Sequence, residues 1–171
     1  GGRALARGGL AAKVLTPEMR AEIDSWIAKY PPDRKQSAVI PALHICQDSN
    51  GGWLKQEHLD AVAEYLEMSP LVVYEVANFY GNFDLEPVGR HKINICNNIS
   101  CMLRGADEII SHVERKLGIR RGETTADVRI TLHMEEECLA ACVGAPMMLV
   151  NGEYHTDLTP EKVDEILDKL E

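Results

Sequence analysis

No stretch of this chain approaches the roughly 20 consecutive apolar residues that a bilayer-spanning helix needs, so any attachment to a membrane must run through a partner. Basic charge is also scarce: 18 Lys and Arg stand against 27 Asp and Glu, and the formal net charge of -9 argues against nucleic acid as a partner. A secretory signal pattern is missing, and with it the setting in which paired cysteines become disulfides; reduced cytosolic thiols fit better. Neither G-x-G-x-x-G nor a P-loop occurs, so a nucleotide or flavin has no obvious home here. C-x-x-C is absent too, which argues against a thioredoxin-type dithiol catalyst. The histidines at 44, 58, 91, 112, 133 and 155 show no metal-binding spacing.

Residues 1–15, GGRALARGGLAAKVL, hold Arg3, Arg7 and Lys13 and no acid, which leaves the remaining chain more acidic than the whole. The stretch has no packed periodicity. It reads as a disordered tail or cloning junction, with an Arg-rich transit-peptide remnant as the other reading, and is expected to add nothing to the fold.

What the chain does have is four cysteines in two close pairs. Cys96 and Cys101 form C-x4-C, Cys138 and Cys142 form C-x3-C, and residues 102–137 between them contain no cysteine. Close pairs on two separate loops let four thiolates converge on one inorganic centre, and a [2Fe-2S] cluster needs four thiolates for two tetrahedral irons. Its chemistry is one-electron transfer. A structural zinc site in an interaction module also takes four cysteines at such spacings, so the pairs alone leave both readings open. The fifth cysteine, Cys46, lies on an apolar helical stripe and reads as packing.

The first half of the chain has helical periods. Thr16, Pro17 and Glu18 supply an N-cap, a first-turn proline and a dipole-favouring acid ahead of Met19, Ile23, Trp26 and Ile27. Val39, Ile40, Leu43 and Cys46 make a second stripe, and Leu59, Val62, Ala63 and Leu66 a third. A fourth helix begins at Ser69-Pro70 and carries Val72, Val73, Val76 and Tyr80 inward, with Phe79 and Tyr80 expected to anchor the bundle. Together they predict a helical bundle over residues 16–86.

From His91 the period changes to two. HKINIC alternates as a strand does and delivers Cys96 at its end. A helix from about Leu103 to Leu117 follows, starting just after Cys101, so that its free N–H groups would lie beside a thiolate. Val128–His133 reads as a second strand leading to Cys138. Asn151-Gly152 between apolar runs signals a type I′ hairpin, and Thr159-Pro160-Glu161 caps a final helix. Residues 87–171 are thus strand, helix, strand, hairpin and helix, and the natural solution is a small sheet with helices packed on it, an α+β arrangement. Glu135, Glu136 and Glu137 directly precede Cys138. Carboxylates there oppose reduction and point to a low potential, roughly −400 mV as in plant-type clusters, unless solvent and salt screen them.

The segments C96-NNIS-C101-MLRGA, E137-C138-LAA-C142-V-G-A145-P146 and LTPEKVDEIL resemble the small flavoprotein-associated subunit of respiratory complex I. That family includes the matching subunits of NAD-linked hydrogenases and formate dehydrogenases. VYEVANFYGNFDLEPVGRH, residues 73–91, and Gly52-Trp53 resemble it too, so the likeness spans about residues 16–171.

The resemblance implies a helical bundle followed by a thioredoxin-like domain with a small mixed sheet, holding one [2Fe-2S] cluster on Cys96, Cys101, Cys138 and Cys142. It implies a flavoprotein partner carrying FMN and NADH within a larger respiratory assembly, and an isolated chain that does not oxidise NADH, with no catalytic side chain of its own. It also implies a peripheral place on the cytoplasmic face of the bacterial inner membrane, or on the matrix side in mitochondria. One departure stands out: members of the family usually carry Gly at the position of Ala140, and a positive φ there would strain an alanine.

Overall fold

The computed structural model describes residues 9–134 and 138–171 and divides the chain into two compact units, Gly1–Pro87 and Val88–Glu171. The first unit is helical. It contains α1 (Leu10–Val14), α2 (Pro17–Ile27), a 3-10 turn over Lys35–Ala38, α3 (Val39–Ser49), α4 (Gln56–Leu66) and α5 (Pro70–Phe79). The start signal of α2 works as expected: the Thr16 hydroxyl accepts the Met19 N–H at 3.2 Å, with Pro17 in the first turn. At α4 the same task falls to an imidazole, since the Lys55 N–H donates to His58 Nδ1 at 3.1 Å. Ile23, Leu43, Leu59, Val62, Leu66 and Val73 are all buried in one core. Each such side chain contributes about 1.5–3 kcal/mol over an exposed one.

Two expectations fail here. Residues 10–14 are a helix rather than a tail, and Ala11 and Leu15 are buried in the bundle core, with Leu15 only 1 % exposed. The Leu10 N–H donates to the Glu64 carboxylate at 3.1 Å, which anchors the start of α1 near α4. Residues 1–8 lie outside the described residues. On α5, the buried positions are Val73 and Ala77, while Phe79 is 80 % exposed and Tyr80 and Val72 also face outward. On a 3.6-residue period Val72 and Phe79 share one edge of the apolar face and Val73 and Ala77 lie toward the other, and the bundle buries the stripe through Val73 and Ala77. After α5 the chain is fastened by the Gln47 amide. Its Nε2 donates to the Asn82 carbonyl and its Oε1 accepts the Asp84 N–H, both at 2.9 Å.

The second unit holds β1 (His91–Ile95), α6 (Ile99–Leu103), α7 (Ala106–Leu117), β2 (Ile130–Leu132), β3 (Met148–Val150), β4 (Glu153–His155) and α8 (Pro160–Leu167). The sheet order is β2-β1-β3-β4. β1 pairs in parallel with β2, and a parallel pair needs a long crossover, here supplied by α6 and α7. It pairs antiparallel with β3, Ile93 opposite Val150 and Ile95 opposite Met148. Asn151 and Gly152 both have positive φ, as the type I′ hairpin requires. The Asn151 side chain also locks the turn to β1: Oδ1 accepts the Lys92 N–H at 2.9 Å.

Ile93, Asn94 and Ile95 are all buried, so both faces of β1 are covered and its alternation ends where the central strand begins. α7 turns Ala106, Ile109, Ile110 and Val113 inward, with Asp107 and Glu108 in its first turn, Arg115 and Lys116 in its last, and Gly118 closing it in the left-handed region. The mixed sheet with helices is the α+β architecture expected. The predicted helix from Leu103, however, is two helices: Gly105, at φ 94°, separates α6 from α7, and Cys101 lies inside α6 instead of before a helix. The second strand is also shorter than expected, because Val128 is exposed at φ 56° and pairing begins at Ile130.

α7 and α8 are joined by a polar cluster. Asp164 meets His112 Nε2 at 2.8 Å and Lys116 Nζ at 3.2 Å, and Lys116 meets Asp168 at 2.7 Å. The His112 bond, followed by that from Lys116, holds the Asp164 carboxyl below its ordinary value. A depressed carboxylate stabilises the fold above its unfolded-state pKa and loses that contribution as pH falls through the folded value. Asp164→Asn should therefore cost stability at neutral pH, with the gap to the parent closing as pH drops below about 3.8. Thermal unfolding at stepped pH checks this; a gap that stays constant down to acid would contradict it.

Candidate metal centre

Cys96 directly follows β1, and its N–H donates to the Met147 carbonyl at 3.2 Å just ahead of β3. Cys101 is the third residue of α6, whose start is fixed by the Asn98 side chain accepting the Ile99 N–H at 2.9 Å. Both thiols are buried, Cys96 2 % and Cys101 1 % exposed, and share a small core with Ala106, Ala145 and Met147. Cys138 and Cys142 are exposed, with their sulfurs 3.3 Å apart.

All four expected sulfurs are electrostatically linked. Cys101 is bonded to Cys96, and Cys142 lies within charge range of both while bonded to Cys138. Burial, then the Cys96 sulfur, pushes the Cys101 thiol up to about 11. In the exposed pair the Ala140 backbone N–H holds the Cys138 thiol below its ordinary value, while the Cys138 sulfur pushes the Cys142 thiol up. Cys101 and Cys142 resist ionisation, and a cationic metal is what makes a coordinating thiol lose its proton outright. Among the described residues, no group of three or more His, Cys, Asp or Glu side chains is gathered to hold a single metal ion. The sulfurs come two by two.

The donors around them are not those expected. The start of α6 does not serve them, since Cys101 sits within that helix. The Met147 backbone favours the thiolate form of Cys101, the Ala140 backbone that of Cys138 and the Ser100 side chain that of Cys142. Backbone amides leave no mark in a sequence, and Ser100 is one of four spacer letters inside C-x4-C with nothing to set it apart. Ala140 does take the left-handed conformation, φ 62°, where glycine would be unstrained. The loop accepts that strain, of order 1–2 kcal/mol, at an exposed position. Cys46 is fully buried packing, its thiol pushed up to about 12 by desolvation, and Arg104 is exposed at the end of α6. Glu135, Glu136 and Glu137, the carboxylates behind the expected low potential, lie outside the described residues.

A family model described as thioredoxin-like [2Fe-2S] ferredoxin matches residues 23–171. The chain belongs to that family. Within it, the chain is 48 % identical over 144 residues to a subunit of the NADH-quinone oxidoreductase of Rickettsia bellii, covering 84 % of this chain and 86 % of that one. It is 42 % identical over 156 residues to the mitochondrial NADH dehydrogenase [ubiquinone] flavoprotein 2 of Dictyostelium discoideum, covering 91 % of this chain and 63 % of that protein. A crystal structure of an NAD+-reducing [NiFe]-hydrogenase superposes with a TM-score of 0.65 at 23 % identity, over 77 % of this chain and 22 % of that one, a likeness of fold alone.

The second cysteine loop of this ferredoxin is fastened by close packing. A Cβ on Gly144 would come within 2.5 Å of the Thr156 Cβ, while the Gly144 carbonyl accepts the Asp157 N–H at 2.6 Å and the Pro146 carbonyl accepts the Leu158 N–H at 3.0 Å. Gly144→Ala should cost about 1–3 kcal/mol through overpacking. Adding Thr156→Gly should recover part of it. Chemical denaturation of the single and double variants checks this, and a single variant as stable as the parent would refute the packing argument.

Proposed function

We propose that this chain is the electron-transfer subunit of an NADH:quinone oxidoreductase, complex I, and that Cys96, Cys101, Cys138 and Cys142 hold its [2Fe-2S] cluster. The observation that carries the reading is the two-by-two gathering of sulfurs from two loops. A single tetrahedral ion needs its donors around one point, whereas two bridged irons need two thiolates on each side. The buried pair would serve one iron and the exposed pair the other.

When bound, such a cluster takes up and returns one electron at a time. The chain's own contribution is to hold and shield it. Buried Cys96 and Cys101 keep water from the inner side. The Met147 and Ala140 amides and the Ser100 hydroxyl offset negative charge on sulfur. Exposed Cys138 and Cys142 leave a short path to a partner.

NADH delivers a hydride, two electrons at once, so a flavin must stand between it and a one-electron carrier. With no nucleotide motif in this chain, FMN and NADH are assigned to a neighbouring flavoprotein subunit of the respiratory assembly. No helix among the described residues is long and apolar enough to cross a membrane, which fits a peripheral place on the cytoplasmic face of the inner membrane, or on the matrix side in mitochondria. The names of the relatives at 42 % identity and above favour complex I over a hydrogenase or formate dehydrogenase module.

The purified chain should carry about two irons and two sulfides. Cys101→Ser should damage or abolish the visible and EPR spectra. A colourless zinc protein, or an unchanged spectrum in that variant, would overturn the assignment. Supplied with NADH alone, the isolated chain should show no oxidation, because it has no hydride acceptor; flavin-free turnover would count against the division of labour.

A further inference from the structure

We propose that Arg115 and Arg120, at the end of α7 and in the turn after it, form a docking point for carboxylates on the acidic surface of a neighbouring protein subunit. The proposal rests on the reading of this chain as one subunit of a larger enzyme, and it adds a surface that electron transfer itself does not require. The chain has a formal charge of -9, yet residues 114–123, ERKLGIRRGE, hold four cations against two carboxylates. Lys116 is engaged by Asp164 and Asp168. Arg115 and Arg120 are exposed, and among the described residues neither guanidinium has an ion pair or a hydrogen bond. Both line one open depression of about 470 Å³, together with Ser111, Glu114 and Glu123.

The two acids of that depression are turned to the backbone. Glu114 Oε1 accepts the Arg121 N–H at 3.1 Å, and Glu123 Oε2 accepts the Arg120 N–H at 2.7 Å. These bonds tie the turn after Gly118 to α7 and hold Arg120 on a fixed backbone, while each guanidinium still offers five N–H donors. The setting also selects the occupant. An acidic partner is repelled by most of a chain of this charge, so a local cationic pair fixes how it lands. A guanidinium fork matches a carboxylate bidentately, and single carboxylates spread over a protein surface can each meet one arginine. A phosphate or a layer of lipid headgroups would instead concentrate negative charge beside Glu114 and Glu123.

The test uses the assembly with which the full chain co-purifies. Arg115→Glu combined with Arg120→Glu should keep the parent's iron content and unfolding temperature, weaken retention of the chain by the other subunits roughly tenfold, and remove much of the salt dependence of that retention. Arg115→Lys with Arg120→Lys keeps the charge and loses the fork, so retention should fall less. The amines it introduces also react with a zero-length carbodiimide, which should join them to Asp or Glu of another subunit, read by mass spectrometry of the linked peptides. Retention untouched by charge reversal, or links that reach only this chain's own carboxylates, overturns the proposal and leaves the cluster reading intact. Lost retention accompanied by lost iron and a lowered unfolding temperature assigns the pair to folding and overturns it as well. Stabilisation by inorganic phosphate of the parent and not of the charge-reversed chain, with retention unchanged, assigns the pair to a free anion, with the same consequence. A chain that co-purifies with no other subunit overturns this proposal and the complex I reading together.

Discussion

The pairing of β1 with β3 is the contact on which the site depends. Ile95 opposes Met148, and at the next step the Cys96 N–H bonds the Met147 carbonyl while the Met147 N–H turns to the Cys101 sulfur. One residue at β3's leading edge thus holds both members of the first cysteine pair and enters the loop that carries the second. A one-residue slip would send every side chain of the strand to the opposite face, placing Met148 where the cysteine core needs Met147. The hairpin lock from Asn151 to Lys92 and the buried ends of Ile93 and Val150 guard against it.

Electrostatically the site is built against its own resting state. Two of the sulfurs, Cys101 and Cys142, are made harder to ionise by burial or by a neighbouring sulfur, in an acidic chain, and uncharged donors from Met147 and Ser100 supply only partial relief. Strain is accepted for the same end. Ala140 in a left-handed conformation turns its N–H toward Cys138, and Gly144 lets the loop lie against Thr156 closely enough for the Asp157 and Leu158 amides to bond it. Local backbone cost is offset by tertiary fastening, a pattern common where function and not stability chooses the conformation.

Much of the fold is legible in the sequence because its signals are short-range. Thr16-Pro17, Thr159-Pro160 and Asn151-Gly152 act within a few residues, and the Leu59–Leu66 and Ile109–Val113 stripes need only a period and an apolar partner. Where the two differ, a distant contact overrides a local cue. Ala11 and Leu15 look like tail until the bundle core buries them. Phe79 looks like core until α5 buries Val73 and Ala77 instead. Gly105 gives no local warning, because a glycine within a periodic segment leaves open whether the helix bends, breaks or continues.

By itself, the order of residues determined the family, the two kinds of secondary structure and the four sulfurs, since each rests on identity and spacing along the chain. Only the folded chain decided how those sulfurs are grouped, which pair faces solvent and which atoms point at them. Cys96 and Cys142 come within charge range through sheet register and loop packing, and two of the three donors are backbone amides that every residue but proline possesses. Their direction is set by tertiary geometry, and composition carries no record of it.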